Sequence, residues 1–315
     1  MPGLSRRSLL MTGSVLASGS LLARKARAAA APLRIGYQKV GLLVVARQQR
    51  LIEKRVAAKG VEVSWSEFPA GPPLMEALNA GSIDFGYVGD TPPIFAQAAG
   101  IPFVYVAAIP PSPKAEAIIV KESSPIRSLQ DLKGRRLGFT KASSSHNLTV
   151  AALDKAGIDY SDITPVYLAP ADAAAAFASD AIDAWTIWDP FLAVGEKASP
   201  TRRIVSSGEL LQAYPYLLAS RNFASEHADL LNDTLAALKE AAAWADSHRG
   251  ELAVALAQVT GVEIEAQRLA ADRTSFGVVP IDAKIIAAQQ ATADRFQRLG
   301  LIPERVDVEA AIWRA

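Results

Sequence analysis

The sequence predicts an α/β chain built from parallel βαβ units and divided into two domains or lobes. Three observations carry this. Short β-rich stretches alternate with helical ones at βαβ spacing. A strand, polar turn and helix theme occurs near residues 83–100 and again near 137–157. The chain has 315 residues, 50% of them hydrophobic, which is enough for more than one core.

In order, Leu33–Tyr37 alternates and is β-rich, a first strand. Gln38, Lys39 and Gly41 follow, then an apolar-periodic helix from Leu43 to Ala58 that Gly60 ends. Val61–Trp65 is a second strand, Pro69–Pro73 a turn, and Leu74–Asn79 a short helix stopped by Gly81. Ile83–Val88 is a buried strand, and Ile94–Ala99 a helix stopped by Gly100. In the turn between them, Gly89 permits a close backbone approach, Thr91 sits where an N-cap belongs, and Pro92 where the first helical residue belongs. Phe103–Ile109 is the next strand, and Pro110, Pro111 and Pro113 break the pattern.

Glu116–Val120 is a further strand, and Ser128 with Asp131 has the spacing of a capping pair for a one-turn helix before Gly134. The theme then returns: strand Leu137–Thr140, polar turn Lys141–His146, and a helix from Asn147 to Ala156 stopped by Gly157. Strands at Ile163–Leu168 and Ala184–Trp188 flank an Ala-rich helix at Ala171–Ala178, and Ile204–Ser206 is a short strand. Tyr216–Ser220 is an apolar strand suited to return the chain to the first lobe. Beyond it the pattern is helical: Ala224–Ser247, Gly250–Val259, Ile264–Ser275, Asp282–Arg298 and Val308–Trp313.

In open α/β sheets ligands sit beyond the carboxyl ends of strands, where Gln38 and Thr91 fall. A helix start there offers unpaired N–H groups and the positive end of a dipole, which is a seat for an anion. Taken alone, Thr91 reads first as a cap holding nothing, and Ser143, Ser144 and Ser145 as a solvated turn. The pairing of two such corners from two lobes is the stronger signal. Strand alternation puts Trp185 and Trp188 on opposite faces, so one at most reaches a cleft on that side, and Trp188 lies nearer the carboxyl end. The alternative for both, and for Phe191, is core packing.

Several classes are excluded. With no cysteine, disulfides, thiolate metal sites and thiol nucleophiles are ruled out, and the wide spacing of the three histidines argues against an imidazole metal site. No cofactor motif occurs. Residues 1–28 carry Arg6-Arg7 in a twin-arginine pattern, a weakly apolar stretch from Leu9 to Leu22, and small residues around Ala26-Arg27-Ala28. They have the order of a Tat export signal with an A-x-A cleavage site. The signal holds five basic and no acidic residues, so the formal charge of +1 becomes about −4 without it. That is no nucleic-acid footprint.

These residues resemble the periplasmic aliphatic-sulfonate-binding proteins of ABC importers, within the nitrate, sulfonate and taurine group. The matching pieces are residues 33–39 (LRIGYQK), 78–86 (LNAGSIDFG), 88–100 (VGDTPPIFAQAAG), 128–134 (SLQDLKG), 141–146 (KASSSH) and 183–191 (DAWTIWDPF). The resemblance implies a type II periplasmic binding protein, each lobe a mixed, mostly parallel sheet flanked by helices. It implies a first lobe of 33–121 with 213–315 and a second of 122–212. The site it implies is lined by Gln38, Gly89, Asp90, Thr91, Ser143, Ser144, Ser145, His146, Trp188 and Asp189. Its partners would be an alkanesulfonate and an inner-membrane ABC permease, with no cofactor, metal or nucleic acid, and the protein is expected to be a monomer free in the periplasm. Without a cysteine after the signal, no lipid anchor is expected. Two departures stand out: Ala142 where the family turn usually has glycine, and Asp90 where it often has glutamate.

A sulfonate keeps its charge and offers three acceptor oxygens, so the site needs donors. The Gln38 amide, the Thr91 and serine hydroxyls, His146 and helix-start N–H groups are expected to supply them, with Trp188, Phe191 or Tyr37 as an apolar wall. Asp90 and Asp189 are expected to accept backbone or cross-lobe hydrogen bonds, or to hold an ammonium, and Lys39 and Lys141 to lie at the rim. The alternatives are a binder of taurine, nitrate, an aromatic sulfonate or a sulfate ester, and an enzyme of the same fold using His146 with Asp189 as an acid/base pair.

Overall fold

The computed structural model describes residues 32–314, so the expected export signal lies outside the described residues. No described helix is long and apolar enough to cross a membrane.

The first half-lobe runs β1 (Leu33–Tyr37), α1 (Leu42–Gln49), α2 (Leu51–Val56), β2 (Val63–Glu67), α3 (Gly71–Asn79), β3 (Phe85–Val88), α4 (Thr91–Ala98) and β4 (Phe103–Ala108). The second lobe runs β5 (Glu116–Lys121), β6 (Arg136–Phe139), α5 (Ser144–Ala156), β7 (Thr164–Tyr167), α6 (Pro170–Ala178), β8 (Ala184–Trp188), α7 (Phe191–Ala198) and β9 (Thr201–Ser206). The chain then returns as β10 (Tyr216–Ser220), followed by α8 (Arg221–Glu226), α9 (Ala228–Ser247), α10 (Arg249–Thr260), α11 (Ile264–Arg273) and α12 (Ala283–Arg298).

The two sheets are built to one plan, ordered β2-β1-β3-β10-β4 and β7-β6-β8-β5-β9. In each, the fourth position is the antiparallel strand, and it is the first strand after the chain crosses between lobes. Four of the five strands in each sheet therefore run the same way, the mixed, mostly parallel arrangement expected. This pairing corrects the expected lobe boundary at 121. β5 bonds to β8 and β9, so the outbound crossing falls within 109–115, the proline-rich stretch itself, and the return within 207–215.

Both faces of each sheet are covered, so the strands read as near-continuous apolar runs. On β5, Ala117 and Ile119 face one core with Trp185, while Ile118 and Val120 face the other with Phe139 and Leu148. The first sheet likewise packs β1 and Phe85 against α1 and α9 on one side, and Tyr105 and Tyr216 against α3, α4 and α12 on the other.

Some boundaries differ from expectation. The helix expected over 43–58 breaks at Arg50, which takes φ 55°. The break lets α1 pack on α9 and α10 while α2 packs on α9, a tertiary demand with no glycine to mark it. The helix expected over 224–247 is likewise divided at His227. The last expected helix is one 3-10 turn at Glu309–Ala311, after which Ile312 bridges Tyr105 at the sheet edge. The capping pair at Ser128 and Asp131 is present as drawn from the sequence.

Candidate functional site

The cleft is the space between the carboxyl ends of the two sets of strands. Its floor is where the two polar corners meet. A Cβ built on Gly89 would lie 3.0 Å from Ser144 Cβ and 3.3 Å from its Oγ, so only glycine lets the β3–α4 turn touch the start of α5. The cavity there is about 110 Å³, and both lobes line it: Gln38, Gly89 and Asp90 from one, Glu116, Ser143, Ser144, Trp188 and Asp189 from the other. No Lys or Arg is among the described residues that line it. An anion held here is held by neutral donors.

α5 supplies the main donors. Ser143 is its N-cap, with extended backbone (φ −101°, ψ 175°), and Ser144 and Ser145 are its first two residues. Their N–H groups have no intrahelical acceptor. The Ser143 hydroxyl donates to the Thr140 carbonyl (2.7 Å) and shares a bond with Ser145 Oγ (2.8 Å), which braces the turn. The Gln38 Nε2 donates to the Tyr87 carbonyl at 3.0 Å, which fixes the amide at the rim of β1 with a second N–H to spare.

α4 supplies fewer donors than expected. Its first residue is Thr91, so Pro92 and Pro93 fall at the second and third positions and remove two of the N–H groups a helix start offers. The dipole remains while its donors are halved, a consequence already readable in the Pro-Pro pair.

Three expected site residues stand behind the wall. Thr91 is fully buried, and its hydroxyl donates to Asp90 Oδ1 (2.9 Å) in place of capping the helix. Ser145 is fully buried beneath Ser143. His146 is fully buried among Phe139 (ring centroids 5.1 Å), Phe296 (5.0 Å) and Tyr160 (5.7 Å). Its Nδ1 accepts from the Ala142 N–H (3.2 Å), so the neutral ring carries its proton on Nε2, 3.0 Å from the Tyr160 hydroxyl. Burial, aided by the Lys141 charge, pushes its pKa down to about 3. His146 is thus a brace for the serine turn, and it forms no acid/base pair with Asp189: both ring nitrogens are engaged elsewhere. The reason is positional. It is the third residue of α5 and turns away from the cleft into the apolar face of that helix.

The aspartates are partnered, across the lobes as well as within them. Asp90 accepts from the Asn147 side chain of the opposite lobe at 2.6 Å, and the Arg295 guanidinium of α12 bonds the same Asn147 at 2.9 Å. Asp189 Oδ1 accepts the Ala193 N–H (3.0 Å) and lies 3.4 Å from Arg273 of α11, while its Oδ2 is buried without a protein partner. Burial raises its pKa to about 6 against the pull of Arg273.

Glu116 is a cleft residue that sequence reasoning missed. It is the first residue of β5, registered opposite Trp188, and it accepts the Ser144 hydroxyl at 2.9 Å. Burial first, then the Asp90 charge, raise its pKa to about 8, so at neutral pH it is largely a neutral acid with a proton to donate. Its position just after the prolines of the crossing was the one available signal. Trp188 is half-buried in the cleft and Trp185 is in the core, as alternation required. Tyr37 is buried and bonds Glu67 at 3.1 Å, away from the cleft. Lys39 pairs with Glu67 (3.8 Å), and Lys141 lies 5.4 Å over the Tyr167 ring, so both stay outside it.

Two matched five-stranded sheets with an interlobe cleft define the periplasmic-binding-protein fold. Within it, this chain belongs to the NMT1/THI5-like family, whose pattern matches residues 57–251. Over 301 residues, 95% of this chain and 94% of the relative, it is 43% identical to a putative aliphatic sulfonates-binding protein of Escherichia coli strain K12. The crystal structure of the periplasmic aliphatic sulphonate binding protein SsuA from Escherichia coli matches with TM-score 0.82 and 44% identity, over 90% of this chain and 92% of that one. The alkanesulfonate-binding protein SsuA from Xanthomonas axonopodis pv. citri, bound to MOPS, matches with TM-score 0.85 and 44% identity, over 90% and 98%.

Proposed function

We propose that this chain is the periplasmic receptor of an ABC importer, capturing aliphatic sulfonates between its lobes and presenting them to an inner-membrane permease. The observation that carries the reading is the contact of Gly89 with Ser144. It brings the start of α5, Gln38 and the protonated Glu116 around one small cavity free of cationic side chains. A permanent anion with three acceptor oxygens matches such a donor set. Relatives from Escherichia coli and Xanthomonas axonopodis, 43% and 44% identical and described as sulfonate binders, support the choice among anions. Export by a twin-arginine signal within residues 1–28, a free monomer in the periplasm, and delivery of sulfonate without turnover belong to the same proposal.

Calorimetry on the chain lacking its signal tests it. Ethanesulfonate is expected to bind and be recovered unchanged, with nitrate and sulfate at least about tenfold weaker, a difference of about 1.4 kcal/mol. Equal affinity for nitrate, or consumption of the sulfonate, overturns the reading.

A further inference from the structure

Where the chain returns between the lobes, a groove of about 370 Å³ lies outside the cleft, within the roughly 300–1,000 Å³ of typical small-molecule sites. Its floor is one face of α12. Lys284, Ala287, Ala288, Ala291 and Arg295 recur at helical spacing, so they line up along the axis with a cation at each end and only alanine methyls between. The two cations stand eleven residues apart, about 16 Å of helix rise. Leu210 and Leu211 of the return crossing form an apolar wall, and Asn147, from α5 of the second lobe, closes the end beside Arg295. Lys284, Ala287 and Ala291 are exposed, so the groove is open to solvent. No Asp or Glu is among the described residues that line it. That is the reverse of the cleft, whose described lining holds Asp90, Glu116 and Asp189 and no Lys or Arg.

Both cations have bonding capacity to spare. Among the described residues Lys284 makes no ion pair or hydrogen bond. Arg295 gives Nη1 to Asn147 Oδ1 (2.9 Å) and sets Nε 3.3 Å from Asp154 Oδ2, which leaves Nη2 without an acceptor among the described residues.

We propose that this groove is a second ligand site, for an organic dianion: an aliphatic dicarboxylate whose acid groups meet Arg295 and Lys284 and whose chain lies over the alanines. The guanidinium fork suits a carboxylate in two-point contact, and the ammonium suits one as a point charge. An inorganic ion is too short to meet both, and a monocarboxylate satisfies one end only. The site is also linked to the cleft. Arg295 bonds Asn147, whose Nδ2 donates to Asp90 Oδ2 at 2.6 Å, and Asp90 lines the cleft. The dianion therefore binds the form in which Asn147 of one lobe reaches Arg295 of the other. By linkage it favours sulfonate capture to the extent that sulfonate favours it. Binding of the dianion stands apart from the sulfonate reading above; the coupling rests on it.

Calorimetry with suberate, succinate and octanoate as probes tests the site. Suberate is expected to bind more tightly than either of the others by about fivefold, the upper worth of a partly solvated ion pair. Ethanesulfonate is expected not to displace it. Lys284→Met, at an exposed position, is expected to lower suberate affinity by about fivefold, to the level of octanoate, with ethanesulfonate binding unchanged when no suberate is present. Ala291→Glu sets a carboxylate between the cations and is expected to remove suberate binding, which gives a second variant should the first fail to fold. Saturating suberate is expected to raise the affinity of the parent for ethanesulfonate by about fivefold or more. No binding of suberate, equal affinity for suberate and octanoate, full affinity in the folded variants, or displacement of suberate by ethanesulfonate overturns the site. Suberate binding that leaves ethanesulfonate affinity unchanged overturns its link to the cleft. Should ethanesulfonate itself fail to bind, the sulfonate reading falls, and the suberate titrations still decide the groove.

Discussion

At the scale of single residues, two positions carry testable physics. Ala142 takes φ 60°, the left-handed region in which a Cβ costs roughly 1–2 kcal/mol. The turn holds it there because its N–H must reach His146 Nδ1 while Ser143 takes the N-cap position of α5. Ala142→Gly removes the strain but loosens the unfolded chain, so a net gain of about 1 kcal/mol is expected, seen in denaturant unfolding as a higher midpoint at unchanged slope. Glu116 has the opposite interest. Its carboxyl, beside Asp90 and in the same cleft as Asp189, ionises near pH 8. Below that it is neutral and donates; above it, a negative charge faces the bound anion. Sulfonate affinity is therefore expected to fall as pH rises through about 8, and Glu116→Gln to flatten that profile in calorimetry across the range. The linkage to folding has the same direction. The raised pKa means the folded state holds a proton the unfolded chain has lost, so Glu116 subtracts stability as pH rises from about 4.5 to 8, and the glutamine variant gains melting temperature most on the alkaline side.

At the scale of elements, the two helix starts divide the work unequally. α5 is a full donor, with Ser144 and Ser145 as its first residues, whereas Pro92 and Pro93 leave α4 with a dipole and few N–H groups. What α4 contributes instead is Asp90, whose carboxylate ties the Asn147 side chain of α5 at 2.6 Å, with Gln289 of α12 donating to the Asp90 carbonyl at 2.6 Å. α11 repeats the device at the other side of the cleft through Arg273, which bonds Glu196 on α7 at 2.5 Å. These clasps join the lobes without touching the donor set. Asn147→Ala leaves Asp90 buried with one oxygen unpaired, so it is expected to lower stability by about 1–3 kcal/mol and to weaken sulfonate binding only through closure. Thermal unfolding with and without saturating ethanesulfonate separates the two, since ligand binding restores stability by mass action.

At the scale of the whole molecule, the proposed function requires the two lobes to approach, and Gly89 is where they touch. Gly89→Val puts methyl groups into the place of Ser144 Cβ. The clash exists only when the lobes meet, so the expected outcome is at least about tenfold weaker binding, about 1.4 kcal/mol, with unliganded unfolding unchanged. Small-angle scattering should show the parent compacting on ethanesulfonate and the variant failing to do so. Compaction in both would mean that the corners do not limit closure.

What the sequence determined by itself is the local grammar: β-rich runs alternating with amphipathic helices, the Ser128–Asp131 cap, the serine corner before α5, and the opposite faces of Trp185 and Trp188. All of these depend on contacts within a few residues or on the two-residue period of a strand. The tertiary structure decided which sheet β5 joins, that Arg50 breaks a helix, that Thr91 and His146 turn inward as braces while Glu116 enters the cleft, and that Gly89 reaches Ser144. Each of those is an outcome of how elements pack on one another. β5 has both faces apolar and would fit either sheet, and a polar side chain at a corner is a ligand donor or a brace according to the neighbours packing brings to it, Asp90 for Thr91 and Tyr160 with Phe296 for His146.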